Sequence, residues 1–245
     1  MKGFYDFHIH SCLSPCGDED MTPNNIVNMA YLNELNVIAV ADHNTTANVP
    51  AVMRVAEQRG ITVLPAMELE TAEEIHVLCL FRSLEGAQCF EKECVRPALP
   101  DIKNRTELFG RQLILDENDE IIGEDERYLI NATALSVDSL PTLLRRYDGL
   151  PIPAHIDKQT KSMCAVFGYF DRSMGYTLAE LSKNVPSDFL KKNSALSEAP
   201  YFFLHDSDAH YLEDIAERTD ENFLTLECLD LPHVFDFLLK KAGFE

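Results

Sequence analysis

Short apolar runs alternate with stretches of helical spacing through the first third of the chain. The opening GFYDFHIH reads as a strand, and a long acidic loop follows it. TPNNIVNMAYLNEL places Thr22 as an N-cap and Pro23 at the first helical position, with Ile26, Val27, Ala30 and Tyr31 at helical spacing. NVIAVADHN is a continuous apolar run too short for a helix, so it reads as a buried strand ending at Asp42 and His43. NVPAVMRVAEQRG reads as a short helix stopped by Gly60, and ITVLPAMELE and IHVLCLF as two further buried strands. Strands buried on both faces and alternating with helices imply a parallel sheet or barrel.

The middle is less regular. Residues 83–95 have helical spacing, and RQLILDENDEIIGE alternates around a polar centre, as a β-hairpin does. The excursion 82–150 is read either as a small inserted cap or as a continuation of the barrel. Beyond it come a helix at DSLPTLLRRYDG, the strand LPIPAH, helices near 177–192 and the strand YFFLHDSDAH, then NFLTLE and a closing helix, LPHVFDFLLKKAG. No repeat, low-complexity tract or linker divides the 245 residues, which fit one α/β barrel domain over 1–245.

Composition narrows the class. No apolar run approaches the roughly 20 residues that span a bilayer, and the first strand, carrying Asp6 and two histidines, does not read as a signal peptide. With 41 acidic against 21 basic residues the formal charge is −20, which disfavours non-specific contact with a long nucleic acid or an anionic membrane. A small phosphorylated substrate stays open, because bound cations reverse the sign locally. Seven cysteines without a Cys-x-x-Cys pair do not form a disulfide framework, so a reducing cytoplasm is expected. Cys79 and Cys228 read as small buried hydrophobes. The pairs Cys12/Cys16 and Cys89/Cys94 each lack a matching second pair for a zinc or iron–sulfur site.

Candidate chemistry then collects at strand ends. His8 and His10 stand one residue apart, and in a regular strand Asp6, His8 and His10 share one face. His43, Glu68, His155, Asp208 and His210 follow at or near the ends of later runs, where the chemistry of α/β barrels gathers. His76 begins its run instead of ending it. Any one of these alone reads as a hydrogen-bonded core residue or a cap. Together they include six of the eight histidines and read as a metal site.

In this order, DFHIHS, VADHN, AMELE, PAHID and DSDAH resemble the polymerase-and-histidinol-phosphatase (PHP) family of metal-dependent phosphoesterases. The spacing is similar to small phosphoesterases and 5′-end-directed nucleases. The resemblance implies a distorted (β/α)7 barrel with a parallel strand core, holding up to three divalent ions, manganese, zinc or iron. It implies that His8, His10, Glu68 and Asp208 hold one ion, that Glu68 bridges to a second bound by His76 and His155, and that His43 and His210 hold the third. Glu68, Asp208 and His210 are the candidate catalytic residues. The implied reaction is hydrolysis of a small phosphomonoester or short nucleotide by a metal-bound hydroxide.

The first loop, SCLSPCGDEDMTP, is longer than the family stretch, so the third ion's remaining ligand lies among Cys16, Asp18 and Asp20. Counting back from Thr22-Pro23 selects Asp18, with Asp20 left to cap the following helix. Asp6 and Asp42 are expected to orient imidazoles, or else to finish strands; His205 and Asp206 to be structural, and His233 to lie at the surface. Lys158 and Arg111 are candidates to meet a phosphate, against a default of solvated surface charge. The competing functions are a metallo-amidohydrolase, which also opens with His-x-His, and a non-catalytic metal-binding module.

Overall fold

The computed structural model of the protein describes residues 1–170, 172–198 and 201–244. In its first half the strands are β1 (Lys2–Ile9), β2 (Val37–Val40), β3 (Thr62–Val63), β4 (Ala66–Glu70) and β5 (His76–Phe81). Helices α1 (Pro23–Leu32) and α2 (Val49–Glu57) cross between β1, β2 and β3, and α3 (Leu84–Phe90) follows β5. The second half adds β6 (Leu113–Leu115), β7 (Ile121–Glu124), β8 (Gly149–Pro153), β9 (Leu178–Ser182), β10 (Phe202–Asp206) and β11 (Phe223–Thr225). A closing helix runs over Leu231–Lys241.

The result is a mixed α/β fold whose strands are only partly parallel. β1, β2 and β3 pair in parallel, as do β9 and β10, whereas β4, β5 and β8 form an antiparallel sheet and β11 runs antiparallel on the outer edge of β1. Among the described residues the hydrogen-bonded sheets remain separate, tied by single bridges such as Ile9 to Ala209 and His43 to Glu68. The expected parallel strand core is therefore met only by β1–β3 and by β9 with β10, and no closed barrel forms among the described residues. The tight turn over 71–75 reverses β5, with Thr71 N bonded to Ile75 O at 2.9 Å, because so short a link cannot make a parallel crossover.

Local chemistry explains where the early elements begin. Thr22 Oγ1 accepts from Asn25 N and Pro23 opens α1. The carboxylate at the helix start is supplied by Asp119, in the β6–β7 turn, which accepts from Thr22 Oγ1 at 2.7 Å and Asn24 N at 3.1 Å, and not by Asp20, which is exposed. Ile26, Val27 and Ala30 are buried as their spacing predicts, but Tyr31 is 54% exposed and stacks under Arg59. The segment read as helical near 177–192 begins as β9: Leu178 and Leu181 sit three apart, as on a helix, yet pairing with β10 decides the conformation.

An apolar layer drawn from nearly all the main strands supports the site. Tyr5, Phe7, Ala39, Leu78, Ile152, Leu178 and Leu204 pack in one buried cluster, closed by Val234, Phe235 and Leu238 of the last helix. The register between β1 and β2 slips between Asp6 and Ile9. Tyr5 and Phe7 thus face this cluster, whereas Ile9 turns to the layer under α1 and α2. A bulge changes which face successive residues present, so Asp6 does not share a face with His8 and His10, as a regular strand would require. No helix among the described residues is long and apolar enough to cross a membrane.

Candidate metal centre

Strand direction delivers the histidines to one end. Glu68 lies toward the C-terminal end of β4, and antiparallel pairing sets His76, the first residue of β5, opposite Glu70. β8 reverses again, so His155, just beyond its end, returns to the same edge. His76 begins its run for this reason. His8 and His10 close β1, His43 follows β2, and Asp208 and His210 lie in the loop after β10. Asp208 and His155 hold positive φ values, 52° and 32°, which non-glycine residues seldom adopt and which cost of order 1–3 kcal/mol each.

Glu68 is the hub. Its Oε1 lies 3.3 Å from His8 Nε2, 2.8 Å from His76 Nδ1 and 3.3 Å from His155 Nε2. Its Oε2 lies 3.4 Å from His10 Nε2 and 3.1 Å from His43 Nδ1. Asp208 Oδ1 adds a second carboxylate, 3.5 Å from His8 Nε2 and 3.1 Å from His10 Nε2. His210 stacks on His10 with ring centroids 4.4 Å apart.

Two of these imidazoles are oriented from behind. His8 Nδ1 meets Glu180 Oε2 at 2.7 Å, and the other oxygen of that buried carboxylate accepts from His155 N at 3.1 Å. Ser14 Oγ donates its one proton to Asp42 Oδ1 at 2.7 Å, so it accepts from His10 Nδ1 at 3.0 Å and from His43 N at 3.2 Å. Both arrangements leave Nε2 of the histidine bare toward Glu68 and Asp208. Asp42 thus orients an imidazole only through Ser14. Asp6 touches no imidazole; it accepts from Ser207 Oγ, Ser207 N and Ala216 N, and so fastens the loop that carries Asp208 and His210.

Burial and charge sort the imidazoles into two kinds. Burial opposes protonation of His8, but the carboxylates of Glu180, Glu68 and Asp208 outweigh it and raise its pKa well above the ordinary value. His76 is likewise raised, to about 9, by Glu68 and Glu70 against the effect of burial. His43 is pushed well below its usual range by burial and by neighbouring His10, His76 and His210, despite Glu68; burial and His10 press His210 down to about 4. Burial alone would raise Glu68 and Asp208, yet the surrounding imidazoles hold both well below the usual carboxylate range.

Ligand-capable atoms converge within 4.8 Å of one another in three overlapping groups: His8, His10, Glu68 and Asp208; His43, Glu68 and His76; and His10, Cys16, His43 and His210. His8 Nε2, His43 Nδ1 and Glu68 Oε2 are buried with no hydrogen-bond partner, a costly arrangement in a core unless a cation completes it. The donor set of imidazole, carboxylate and thiol suits zinc, iron or manganese.

Asp18 does not join these groups. Its Oδ1 accepts from Asp20 N at 2.9 Å while its own N–H donates to His210 O, and the thiol of Cys16 reaches the histidines instead. Lys158 pairs with Asp208 Oδ2 at the rim of the cleft; Arg111 lies on the surface against Glu124. His233 is exposed and caps with Asp230, and Cys228, read as buried, is only partly so. His205 lies outside the three groups; Asp206 is buried and accepts from Phe7 N at 2.6 Å. Sequence reading missed Glu180. Its one signal is a lone carboxylate among Leu178, Ala179 and Leu181.

Part of the excursion 82–150 packs onto this end, while Gly149 and Leu150 already belong to β8. Leu99 and Leu129 meet Leu13 of the first loop, Leu113 and Leu115 meet Cys12, and Ile130 lines the cleft. Glu91, in a π-helical turn after α3, accepts from Thr45 Oγ1, Thr46 N and Thr46 Oγ1, and so holds the segment beyond His43.

No family model matches the chain. A 79-residue stretch is 34% identical to a 5′-3′ exoribonuclease of Haemophilus influenzae, covering 31% of this chain and only 28% of that protein. Among solved structures, the lesion-specific endonuclease Endonuclease Q of Pyrococcus furiosus superposes with a TM-score of 0.69 at 18% identity, over 100% of this chain and 57% of that one. A protein of Bifidobacterium adolescentis described as a metal-dependent phosphoesterase superposes at 0.61 and 18% identity, over 97% and 96% of the two chains. An amidohydrolase of Chromobacterium violaceum follows at 0.57 and 15%, over the same shares. In its strand-end motifs and its fold the chain resembles the PHP family of metal-dependent phosphoesterases.

Proposed function

We propose that the protein is a metal-dependent phosphoester hydrolase acting on a small phosphomonoester or a short nucleotide. The observation that carries this reading is Glu68, a buried carboxylate with five imidazoles around it and Asp208 beside it. In this reading His8, His10, Glu68 and Asp208 hold one ion, Glu68, His76 and His155 a second, and His43 and His210 a third. Ions held there would supply stabilisation of phosphoryl charge and activation of water at neutral pH.

The chain's own residues do the rest. Glu180 and Ser14 orient two imidazoles toward Glu68 and Asp208 ahead of binding. The cleft, about 160 Å³, is below the usual 300–1,000 Å³ of small-molecule pockets. That favours entry of a phosphoryl group with the rest of the substrate outside, against Ile130, Thr160 and Lys161. Lys158 at the rim is a cation suited to a phosphate oxygen. A nucleotide is supported by the resemblance to an exoribonuclease and to a DNA-lesion endonuclease, and its length is a matter for assay.

A panel of phosphomonoesters, phosphodiesters and 5′-phosphorylated oligonucleotides, run beside amide substrates on one metal-loaded sample, tests the proposal. Hydrolysis of a phosphoester that stops on chelation supports it. Amide hydrolysis without phosphoester hydrolysis transfers the site to an amidohydrolase, and full activity after exhaustive chelation removes the metal from the reaction.

A further inference from the structure

We propose that Cys16 is a thiolate ligand, and that the position it shares with His43 and His210 takes zinc or iron in preference to manganese or magnesium. The proposal rests on the reading of this site as a metal centre and deepens it. Cys16 is a free, partly buried cysteine whose Sγ lies within 4.8 Å of ligand nitrogens of His10, His43 and His210. The second observation is His43, 2% exposed, whose buried Nδ1 has no hydrogen-bond partner.

The loop is built to deliver this thiol. Gly17 N donates to Ser14 O and Asp18 N to His210 O, both at 2.9 Å, which anchors the backbone immediately after Cys16. A Cβ at Gly17 would lie 2.3 Å from Ser11 O, so the turn admits no side chain there. The carboxylate selected by counting back from Thr22-Pro23, Asp18, is committed to Asp20 N. Thiolate selects softer ions, whereas manganese and magnesium prefer oxygen ligands. On binding, the thiol proton passes to solvent and the sulfur lone pair to the metal.

Cobalt(II) titration of the metal-free full chain tests this by spectroscopy, without an activity assay. Wild type should show ligand-field bands together with a near-ultraviolet thiolate-to-cobalt charge-transfer band. Cys16→Ser should lose the charge-transfer band and one ion's occupancy while keeping the other ligand-field bands, which also report a folded site. Cys228→Ser is the control, since Cys228, Asp230 and His233 form another, exposed group; it should keep the band. Ligand-field bands without a charge-transfer band in wild type, or a band lost in Cys228→Ser and kept in Cys16→Ser, overturn the cysteine proposal and leave the phosphoesterase reading standing. A protein that binds no cobalt at all overturns both.

Discussion

Glu180 and His8 meet at 2.7 Å inside the core, a carboxylate of β9 fixing an imidazole of β1 across 172 positions of chain. The contact leaves one nitrogen of His8 for Glu68 and Asp208. Glu180→Gln keeps the shape and removes the charge. Loss of such a supporting carboxylate weakens metal affinity by about 10–100-fold, and competition with a chelating indicator should read a loss in that range. Affinity equal to wild type would show that Glu180 is only a core residue.

The relay from Asp42 through Ser14 to His10 makes a separate claim. Ser14→Ala leaves His10 Nδ1 and His43 N without their acceptor, at a cost of about 1–3 kcal/mol. Urea denaturation should show the loss, and metal titration a weaker ion at His10. Cys12, two residues earlier in the same loop and without a role in the relay, should tolerate replacement by Ala with metal affinity unchanged.

Glu68 should matter more than any single histidine. Glu68→Gln removes the charge that faces five imidazoles at once, so metal content by elemental analysis should fall further than in His43→Ala. Equal losses in the two variants would take away its bridging role.

Metal removal should lower stability, because an ion that binds only the folded chain adds about 2.7 kcal/mol at a hundredfold excess over its dissociation constant. Calorimetry with and without chelator should show a lower Tm in the metal-free protein. A Tm indifferent to chelation means that the cluster folds without need of an ion.

Gly17 should be intolerant of a side chain. Gly17→Ala forces the backbone of Ser11 away from the new methyl, and strain of this kind costs about 1–3 kcal/mol. It should also blunt the cobalt charge-transfer band by moving Cys16. Gly110, whose added Cβ meets nothing within 4 Å, has no such packing conflict, although its φ of 77° strains any side chain. Metal binding in Gly110→Ala should therefore match wild type even where stability falls.

Much of the fold and site was legible in the order of residues. Capping at Thr22-Pro23, the stop at Gly60 and the hairpin around residues 116–119 are local events, governed by neighbours within a few positions. His8, His10, His43, Glu68, His76, His155, Asp208 and His210 were legible because their types are costly in apolar runs unless something binds them.

What the tertiary structure decided was direction, face and partner. Reversal of β5 depends on what the 71–75 turn can span, and it alone explains why His76 begins a strand. The bulge between Asp6 and Ile9 parts Asp6 from the histidines, a matter of pairing with β2 that no periodicity records. β9 is a strand because β10 lies beside it, and only that pairing carries Glu180 to His8. In the first loop, counting selects Asp18, but the folded loop brings the thiol of Cys16 within 4.8 Å of ligand nitrogens of His10, His43 and His210. The sequence by itself determined which side chains could bind a cation; contacts between residues far apart along the chain decided which of them meet.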